Sequence, residues 1–290
     1  MRIGIIGKTN KEEVFEIARE LCSWLQERNI EVYVEKELGK EMGHPNSIPP
    51  TELPELVDVV IVFGGDGTFL GVARLVCKYD IPILGVNLGG LGFLTEIAIR
   101  ELYPMMERII SGQYSVEKRE MLYATIHRGT VDRIGDYVVL NDVVINKGAV
   151  ARMIDLALYI NGSHVANFRA DGIILSTPTG STAYSLSAGG PIIYPTLPLT
   201  IITPICSHTL TNRPLVVSSE TTIRIKVLSD TPDTYLTLDG HVGVTLKMGD
   251  VVEVMKSDSS VKLIKSPFRD YFEILKTKLM WGERYGAVEG

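Results

Sequence analysis

The chain has 290 residues, of which 45% are hydrophobic and 22% charged, and its formal net charge is −6. This length and composition predict one large or two ordinary globular domains, and no apolar run approaches the length of a membrane span. The acidic balance argues against a general nucleic-acid-binding or anionic-membrane surface. Three widely spaced cysteines favour free thiols in a reducing compartment over a disulfide framework or a zinc site, so we expect a cytoplasmic protein.

Residues 1–115 alternate strand and helix signals. Apolar runs predict strands over Arg2–Gly7 and over residues 30–34, 57–63 and 81–86, and apolar residues at helical spacing predict helices over residues 11–28, 69–79 and 100–111. Residues 36–56 are rich in proline and charge, and we expect them to form a mobile loop. The order of these elements predicts a parallel sheet with crossover helices.

The third predicted strand ends at a glycine-rich turn, Gly64-Gly65-Asp66-Gly67-Thr68. Such a turn before a helix exposes backbone N–H groups to an anion, and the missing Cβ atoms allow a phosphate to approach closely. Asp66 would repel a phosphate unless it accepts a proton or helps to hold a metal ion, which indicates chemistry rather than simple binding. The alternative is an ordinary structural turn. A second glycine-rich loop, residues 87–93, is expected at the same edge of the sheet.

Residues 114–265 contain short β-branched segments separated by turn residues, which predicts an antiparallel, sandwich-like domain. The segments are residues 122–127, 137–145, 154–160, 173–176, 222–227, 236–238 and 251–255. A tail over residues 268–280 returns to helical spacing, and we expect it to pack back on the body of the protein. The predicted fold is therefore an α/β N-terminal domain followed by a β-rich domain and a C-terminal helix.

Two stretches of the second half carry candidate binding residues. Asn141 and Asp142 stand side by side in strand context, and both reach one ligand only where the strand bends or ends; the alternative is a turn. Farther on, Arg169 and Asp171 precede a buried strand and a hydroxyl-rich turn, and a short helix is predicted to begin at residue 181. The hydroxyls of this turn either cap the helix or donate to a sugar or phosphate.

Taken together, these stretches resemble the NAD kinase family in content and order. The resemblance is carried by residues 64–68, 87–96, 141–142, 171–191, 203–214 and 239–241, and it extends over nearly the whole chain except residues 36–56. The motif around Asp66 alone is shared with lipid and sphingoid kinases, whereas the joint match is specific. It implies phosphorylation of the adenosine ribose 2′-hydroxyl of NAD by ATP or polyphosphate with Mg²⁺, which gives NADP.

The resemblance also implies roles for individual residues. Asp66 would be the base, and Gly64, Gly65, Gly67 and Thr68 would serve the phosphates. The dinucleotide would be bound by Asp66, Gly67, Asn141, Asp142, Arg152, Arg169, Asp171, Thr182, Ala183, Tyr184, Ser185, Leu186, Ser187 and His241. Asp142 often appears as Glu in the family, and His241 stands where Gln is frequent in bacterial members. No residue is expected to bind a transition metal, because the histidines lack the spacing of metal ligands.

The expected domains are residues 1–115, 116–265 and a helical tail over 266–290, with the active site between the first two. The family implies a homodimer or homotetramer with the β-rich domains in contact, and from the acidic charge we expect no nucleic-acid or membrane partner. Two other functions would fit part of the pattern. A lipid or sphingoid kinase would share the motif around Asp66 but would need an apolar or basic membrane face. A non-catalytic dinucleotide sensor would bind NAD with Asp66 dispensable.

Overall fold

The computed structural model describes residues 1–8, 12–129, 132–148, 152–208, 212–230 and 233–280. The chain forms two compact units. Unit 1 comprises Met1–Lys118 together with the chain from Val261 onward, and unit 2 comprises Arg119–Ser260. The sequence of unit 2 is thus inserted into that of unit 1.

In chain order, the helices are α1 (Glu12–Gln26), α2 (Lys36–Met42), α3 (Asp66–Val76), α4 (Leu102–Ile110), α5 (Tyr184–Ser187) and α6 (Tyr271–Leu279), with 3-10 turns at Leu53–Glu55, Ile99–Glu101 and Thr179–Thr182. The strands are β1 (Arg2–Gly7), β2 (Glu31–Glu35), β3 (Ser47–Ile48), β4 (Val59–Phe63), β5 (Pro82–Asn87), β6 (Ile97–Ala98), β7 (Val116–Arg128), β8 (Asp132–Val139), β9 (Asp142–Lys147), β10 (Ile154–Ile160), β11 (Ser163–Ala170), β12 (Gly172–Ser176), β13 (Leu199–Ile205), β14 (Leu215–Ser218), β15 (Ile223–Val227), β16 (Thr234–Leu238), β17 (Val242–Leu246) and β18 (Val251–Ile264).

Unit 1 is built on a parallel sheet. Its strand order is β5-β4-β1-β2-β3, and the last residues of β18 extend it by pairing parallel to β5. The amphipathic helices α1 and α4 bury their apolar stripes in one core with the side chains of β1, β2 and β4. The predicted α/β architecture of this part is confirmed.

The prediction of a loop over residues 36–56 is wrong, because local interactions order this segment into α2, β3 and a 3-10 turn. The Glu35 side chain caps α2 by accepting the backbone N–H groups of Glu37 and Leu38, and Gly43 ends the helix with a positive φ of 67°. β3 then pairs parallel to β2. Leu53 is fully buried against Gly4, where a Cβ would come within 2.5 Å of the leucine side chain.

Unit 2 is a sandwich of two antiparallel layers. One layer has the order β11-β10-β15-β18 and also includes the β7–β8 hairpin, which joins through the pairing of β7 with β18. The other has the order β14-β13-β12-β9-β16-β17. Side chains of both layers share one core, to which Leu156 and Ile225 contribute from the first layer and Leu175 and Leu236 from the second. The β-rich fold of this part is confirmed, as is the C-terminal helix. Among the described helices, none combines the length and the apolar character that crossing a membrane requires.

Candidate functional site

Asp66 is the first residue of α3, three residues earlier than the predicted start of that helix, and Gly65 is its N-cap. The Asp66 carboxylate is held by the turn at residues 92–95. Its Oδ2 accepts the N–H of Phe93 at 2.9 Å, and its Oδ1 accepts the N–H groups of Leu94 and Thr95, both at 3.1 Å. The Thr95 hydroxyl donates to the same Oδ1 at 3.0 Å. Four donors therefore fix the carboxylate in one position.

The 87–95 loop is shaped to fit this carboxylate. A Cβ at Gly92 would overlap Asp66 Oδ1 and Thr95 Oγ1, so only glycine fits there. Asn87 donates from Nδ2 to Thr95 Oγ1 at 2.8 Å, and its Oδ1 accepts the N–H of Gly89 at 2.7 Å. Sequence reasoning placed this loop at the correct edge of the sheet but assigned no role to Asn87, Gly92 or Thr95.

The three glycines around the N-terminus of α3 divide into two groups. Gly64 is buried, its N–H donates to the carbonyl of Val86 at 3.0 Å, and a Cβ on it would come within 2.6 Å of Thr68 Oγ1. Gly65 and Gly67 are exposed and leave the helix N-terminus open to solvent. An accessible backbone at a helix N-terminus suits a phosphate group.

In unit 2, four of the predicted dinucleotide residues line one cavity of about 330 Å³, which we call the Asn141 cavity. They are Asn141, Asp142, Ala183 and Tyr184, and the lining is completed by Val144, Asn146, Thr237, Asp239 and Gly240. Of these five, sequence reasoning assigned none a contact. The structure therefore brings together two segments, around residues 141 and 183, that are distant in sequence.

The extended chain is interrupted between β8 and β9, at Leu140 and Asn141, and the Asp239 side chain holds this interruption in place. Its carboxylate accepts the N–H groups of Leu140 at 3.1 Å, Asn141 at 2.7 Å and Asp142 at 3.2 Å. Asp239 itself has a positive φ of 50°, in the turn between β16 and β17. From the sequence, Asn141 and Asp142 could reach one ligand only where the strand bends or ends. The interruption meets this condition, because both side chains line the cavity, whereas in a straight strand they would point to opposite faces.

Asp142 is only 4% exposed although it lines the cavity. Burial, followed by repulsion from the neighbouring Asp239, raises the pKa of the Asp142 carboxyl from 3.8 to about 7. Burial also raises the pKa of the Tyr184 phenol, with smaller contributions from Cys206, Asp171 and Asp142. The surroundings of this cavity therefore disfavour the ionised forms of both groups.

The other predicted dinucleotide residues of unit 2 are not among those that line the Asn141 cavity. Arg169 lies at the end of β11, 3.8 Å from Asp155, and Asp171 pairs with Lys147 at 3.6 Å. The Ser185 hydroxyl is buried and hydrogen-bonded to that of Thr203 at 3.0 Å. Five predicted positions remain. Arg152 precedes β10, Thr182 is the last residue of a 3-10 turn, and Leu186 and Ser187 lie in α5. The His241 ring contacts the Asp239 carbonyl at 2.6 Å.

The side chains that commonly bind metal ions do not cluster in the described part of the chain. Among its residues, no group of three or more His, Cys, Asp or Glu side chains is arranged to hold an ion. None of the three cysteines, all of which lie in the described ranges, is in a disulfide, and Cys22 and Cys77 are buried whereas Cys206 is exposed.

Comparison with known proteins gives a consistent result. Residues 3–114 match the family model "ATP-NAD kinase N-terminal domain", and residues 140–266 match "ATP-NAD kinase C-terminal domain". NAD kinases of Syntrophotalea carbinolica and Geotalea daltonii are 51% and 50% identical to the chain, each over 98% of this chain and 99% of the relative.

Two solved structures share the fold. A yeast NADH kinase complexed with NADH has a TM-score of 0.91 at 26% identity, covering 100% of this chain and 90% of that chain. An NAD kinase from Archaeoglobus fulgidus in complex with ATP has a TM-score of 0.77 at 26% identity, covering 96% of this chain and 98% of that chain. The match spans both units and includes the loop that holds Asp66, and the chain therefore belongs to the NAD kinase family of enzymes.

Proposed function

We propose that this member of the family transfers the terminal phosphoryl group of ATP to the adenosine ribose 2′-hydroxyl of NAD, and that Asp66 takes the hydroxyl proton. The observation that carries the proposal is the unequal use of the two Asp66 oxygens. Among the described residues, Oδ1 accepts three donors, whereas Oδ2 accepts only the N–H of Phe93. Oδ2 therefore keeps lone-pair capacity for a substrate proton while the carboxylate stays anchored.

Phosphoryl transfer depends mainly on positioning and on neutralising charge. The ribose hydroxyl is a very weak acid, so Asp66 accepts its proton late, as the bond from oxygen to phosphorus forms and the bond to the leaving diphosphate breaks. The exposed backbone at Gly65 and Gly67, at the positive end of the α3 dipole, stabilises the phosphate charge. An anchored acceptor and an open helix N-terminus are the two parts that such a reaction requires from unit 1.

The Asn141 cavity would hold a nucleoside part of NAD. Asn141 and Asp142 offer amide and carboxyl groups to its polar atoms, and Tyr184 offers an aromatic face. The remaining dinucleotide contacts stay assigned to Arg152, Arg169, Asp171, Thr182, Ser185, Leu186, Ser187 and His241. The complex of the yeast relative with NADH supports a dinucleotide ligand.

Mg²⁺ is proposed to enter with the phosphoryl donor. With Oδ1 accepting three donors and Oδ2 accepting the Phe93 N–H and the substrate proton, the Asp66 carboxylate has no lone pair left for the ion, whose ligands would be the donor phosphates and water. Such a donor set fits Mg²⁺, which typically keeps several waters and binds to substrate phosphates. When bound, the ion neutralises charge on the phosphates.

We also propose a homodimer or homotetramer in the cytoplasm. The edge strand β14 exposes Leu215 and Val216, at 40% and 37%, which suits burial in a subunit contact. Three cysteines outside any disulfide suit a reducing compartment. Light scattering of the purified protein measures the oligomer, and a monomer at micromolar concentration would contradict it. Cell fractionation tests the location.

The experiment that tests the reaction is NADP formation from NAD by the purified protein, read by coupling to glucose-6-phosphate dehydrogenase. ATP and polyphosphate are compared as donors, each with Mg²⁺ and with excess EDTA. We expect NADP with ATP and Mg²⁺ and none with EDTA. Saturable NAD binding without NADP formation from either donor would instead indicate a dinucleotide sensor.

A further inference from the structure

Asn87 is the last residue of β5 and is 8% exposed. β5 pairs with β4, the strand that leads into the glycine-rich turn at residues 64–68, which we call the phosphate loop. The Asn87 side chain uses both ends of its amide. Its Oδ1 lies 2.7 Å from the Gly89 nitrogen, and its Nδ2 lies 2.8 Å from Thr95 Oγ1. A buried amide that is bound at both ends has one well-defined orientation.

The contact with Gly89 decides which end of the amide is the oxygen. The two ends of an asparagine amide have nearly the same shape, and their hydrogen-bond partners tell them apart. A backbone N–H only donates, so the atom that faces the Gly89 nitrogen is the oxygen. The NH₂ group therefore faces Thr95, and because this group only donates, the Thr95 hydroxyl oxygen must accept from it.

The Thr95 hydroxyl then has one direction left for its own proton. The hydroxyl has a single proton to donate, and Asp66 Oδ1 lies 3.0 Å from its oxygen. Thr95 is fully buried, so bulk water does not compete for this proton. Donation thus runs one way, from Asn87 to Thr95 and from Thr95 to Asp66. Hydrogen bonds that are linked in one direction polarise and strengthen one another.

The direction of this relay decides how the two oxygens of Asp66 differ. Oδ1 accepts the backbone N–H groups of Leu94 and Thr95, and the Thr95 hydroxyl is its third donor. This third donor completes the hydrogen bonding of Oδ1, whereas Oδ2 accepts the Phe93 N–H and keeps capacity for a proton. With the hydroxyl turned around, Oδ1 would lose a donor and face a lone pair, and both oxygens would then compete for the substrate proton.

We propose that Asn87 is a positioning residue of the reaction. Its amide sets the direction of the Thr95 hydroxyl, and that hydroxyl reserves Asp66 Oδ2 for the proton of the ribose hydroxyl. Asn87 thus acts through Thr95 and not on the substrate. The inference rests on the proposed function, because it explains how the proton acceptor of that reaction is prepared. It predicts that Asn87 affects turnover and leaves the binding of both substrates unchanged.

Asn87→Asp reverses the relay while keeping the size of the side chain. One carboxylate oxygen still accepts the Gly89 N–H, and the other accepts the Thr95 proton instead of donating to the hydroxyl. The assay is run at about pH 8, where the new carboxylate is ionised. We expect kcat to fall by about tenfold, with the KM for ATP and the KM for NAD within about twofold. Asn29→Asp, the same exchange at an exposed position of unit 1, should change none of these constants.

A second substitution separates the relay from other effects of the new charge. In a Thr95→Val background there is no hydroxyl to turn, so adding Asn87→Asp should change kcat by about twofold or less. A full loss of the same size in that background would mean that the charge or a shifted loop lowers turnover, and it would overturn the inference. An unchanged kcat in Asn87→Asp, with thermal unfolding that matches the unmodified protein, would also overturn it and would leave the proposed function standing. Absence of NADP formation by the unmodified protein overturns the proposed function itself.

A measurement on the unmodified protein covers the case in which Asn87→Asp does not fold. Neutron diffraction from crystals of the perdeuterated protein locates the deuterons on Thr95 Oγ1 and Asn87 Nδ2. We expect the Oγ1 deuteron to lie on the line to Asp66 Oδ1, with one Nδ2 deuteron aimed at Thr95. An Oγ1 deuteron aimed at Asn87 would overturn the inference, whatever the activity of the protein.

Discussion

The Asp66 side chain has two tasks that one substitution affects together. It anchors the turn at residues 92–95 through four hydrogen bonds, and it is the proposed acceptor of the substrate proton. An asparagine there keeps the size of the side chain but replaces one acceptor oxygen by an NH₂ group that faces N–H donors. A variant at this position therefore needs separate measurements of folding, binding and turnover.

We expect Asp66→Asn to lower kcat by about 10²–10⁴, the contribution of a positioned general base. Its NAD affinity should stay within a few-fold, because the lost interaction acts in the transition state. The unsatisfied donors should lower the free energy of unfolding by about 1–3 kcal/mol. Steady-state kinetics, calorimetry and urea unfolding give the three quantities. Unchanged turnover would remove Asp66 from the mechanism.

Thr95→Val is the matched control for Asp66→Asn. It removes one of the four donors to Asp66 and keeps the carboxylate. The substitution removes two hydrogen bonds of the Thr95 hydroxyl, the one to Asp66 Oδ1 and the one from Asn87 Nδ2, but three donors to the carboxylate remain. We therefore expect kcat to fall by about tenfold or less. If Thr95→Val reduced turnover as strongly as Asp66→Asn, the carboxylate would act by shaping the loop and not by accepting a proton.

Asp142 predicts a pH-dependent stability. Its pKa in the folded protein is about 7 and its usual value is 3.8, so the folded state keeps a proton that the unfolded state releases between these values. Stability therefore falls as the pH rises from about 4 to about 7. From pH 5 to pH 8, the free energy of unfolding of the unmodified protein should fall by about 3 kcal/mol more than that of the Asp142→Asn variant. Urea unfolding without ligand measures both. If the free energies of unfolding of the two proteins changed with pH in parallel, the raised pKa of Asp142 in the folded protein would be contradicted.

The sequence contained part of the signal for the Asn141 cavity. Asp142, Val144 and Asn146 alternate along β9, so a period of two from Asp142 identifies Asn146 as a wall residue. Asp239 had no such local signal. It lies 97 residues from Asp142 in sequence and acts on backbone N–H groups, which any sequence supplies. Pairing across the sheet, and not composition, brings it to the site.

At the scale of elements, the phosphate loop and the 87–95 loop act as one unit because Gly92 allows their contact. Gly92→Ala should push Asp66 away from its donors, since the new Cβ would overlap Asp66 Oδ1. We expect a loss of kcat of about tenfold or more and a loss of stability of about 1–3 kcal/mol. Gly90→Ala is the control in the same loop, because no atom lies within 4 Å of its Cβ position. Equal effects of the two substitutions would contradict this account.

The elements that were predicted correctly are those whose pattern is local. β1 and β10 match the predicted bounds, because their apolar runs are bounded by turn residues. β13 was not predicted although it is buried, since Pro204 within it argues against a strand. β14 was not predicted because it is a short edge strand with little burial. Segment 137–145 was predicted as one strand, and only the Asp239 carboxylate, supplied from a distant turn, shows why it is two.

At the scale of the whole molecule, unit 1 is completed by residues that follow unit 2 in the sequence. Lys262 and Leu263 pair with β5, and Arg269 forms an ion pair with Glu101. Glu96 is the most buried of the charged groups in this closure, at 2% exposure. It accepts Lys265 Nζ at 3.2 Å and the N–H of Ser266 at 3.1 Å. Closure of unit 1 thus brings a cation and a backbone donor, from Lys265 and Ser266, to a buried carboxylate.

Lys265→Met removes the cation opposite Glu96 and keeps most of the side-chain volume. A buried charge without its partner is costly, and we expect the free energy of unfolding to fall by about 3 kcal/mol. Lys262→Met is the matched control three residues earlier, since Lys262 pairs with Asp80 at 2.6 Å but the Asp80 side chain is 78% exposed. An exposed pair contributes at most about 1 kcal/mol. Urea unfolding followed by circular dichroism compares the two variants, and equal losses of stability would show that the buried Glu96 carboxylate does not govern the closure of unit 1.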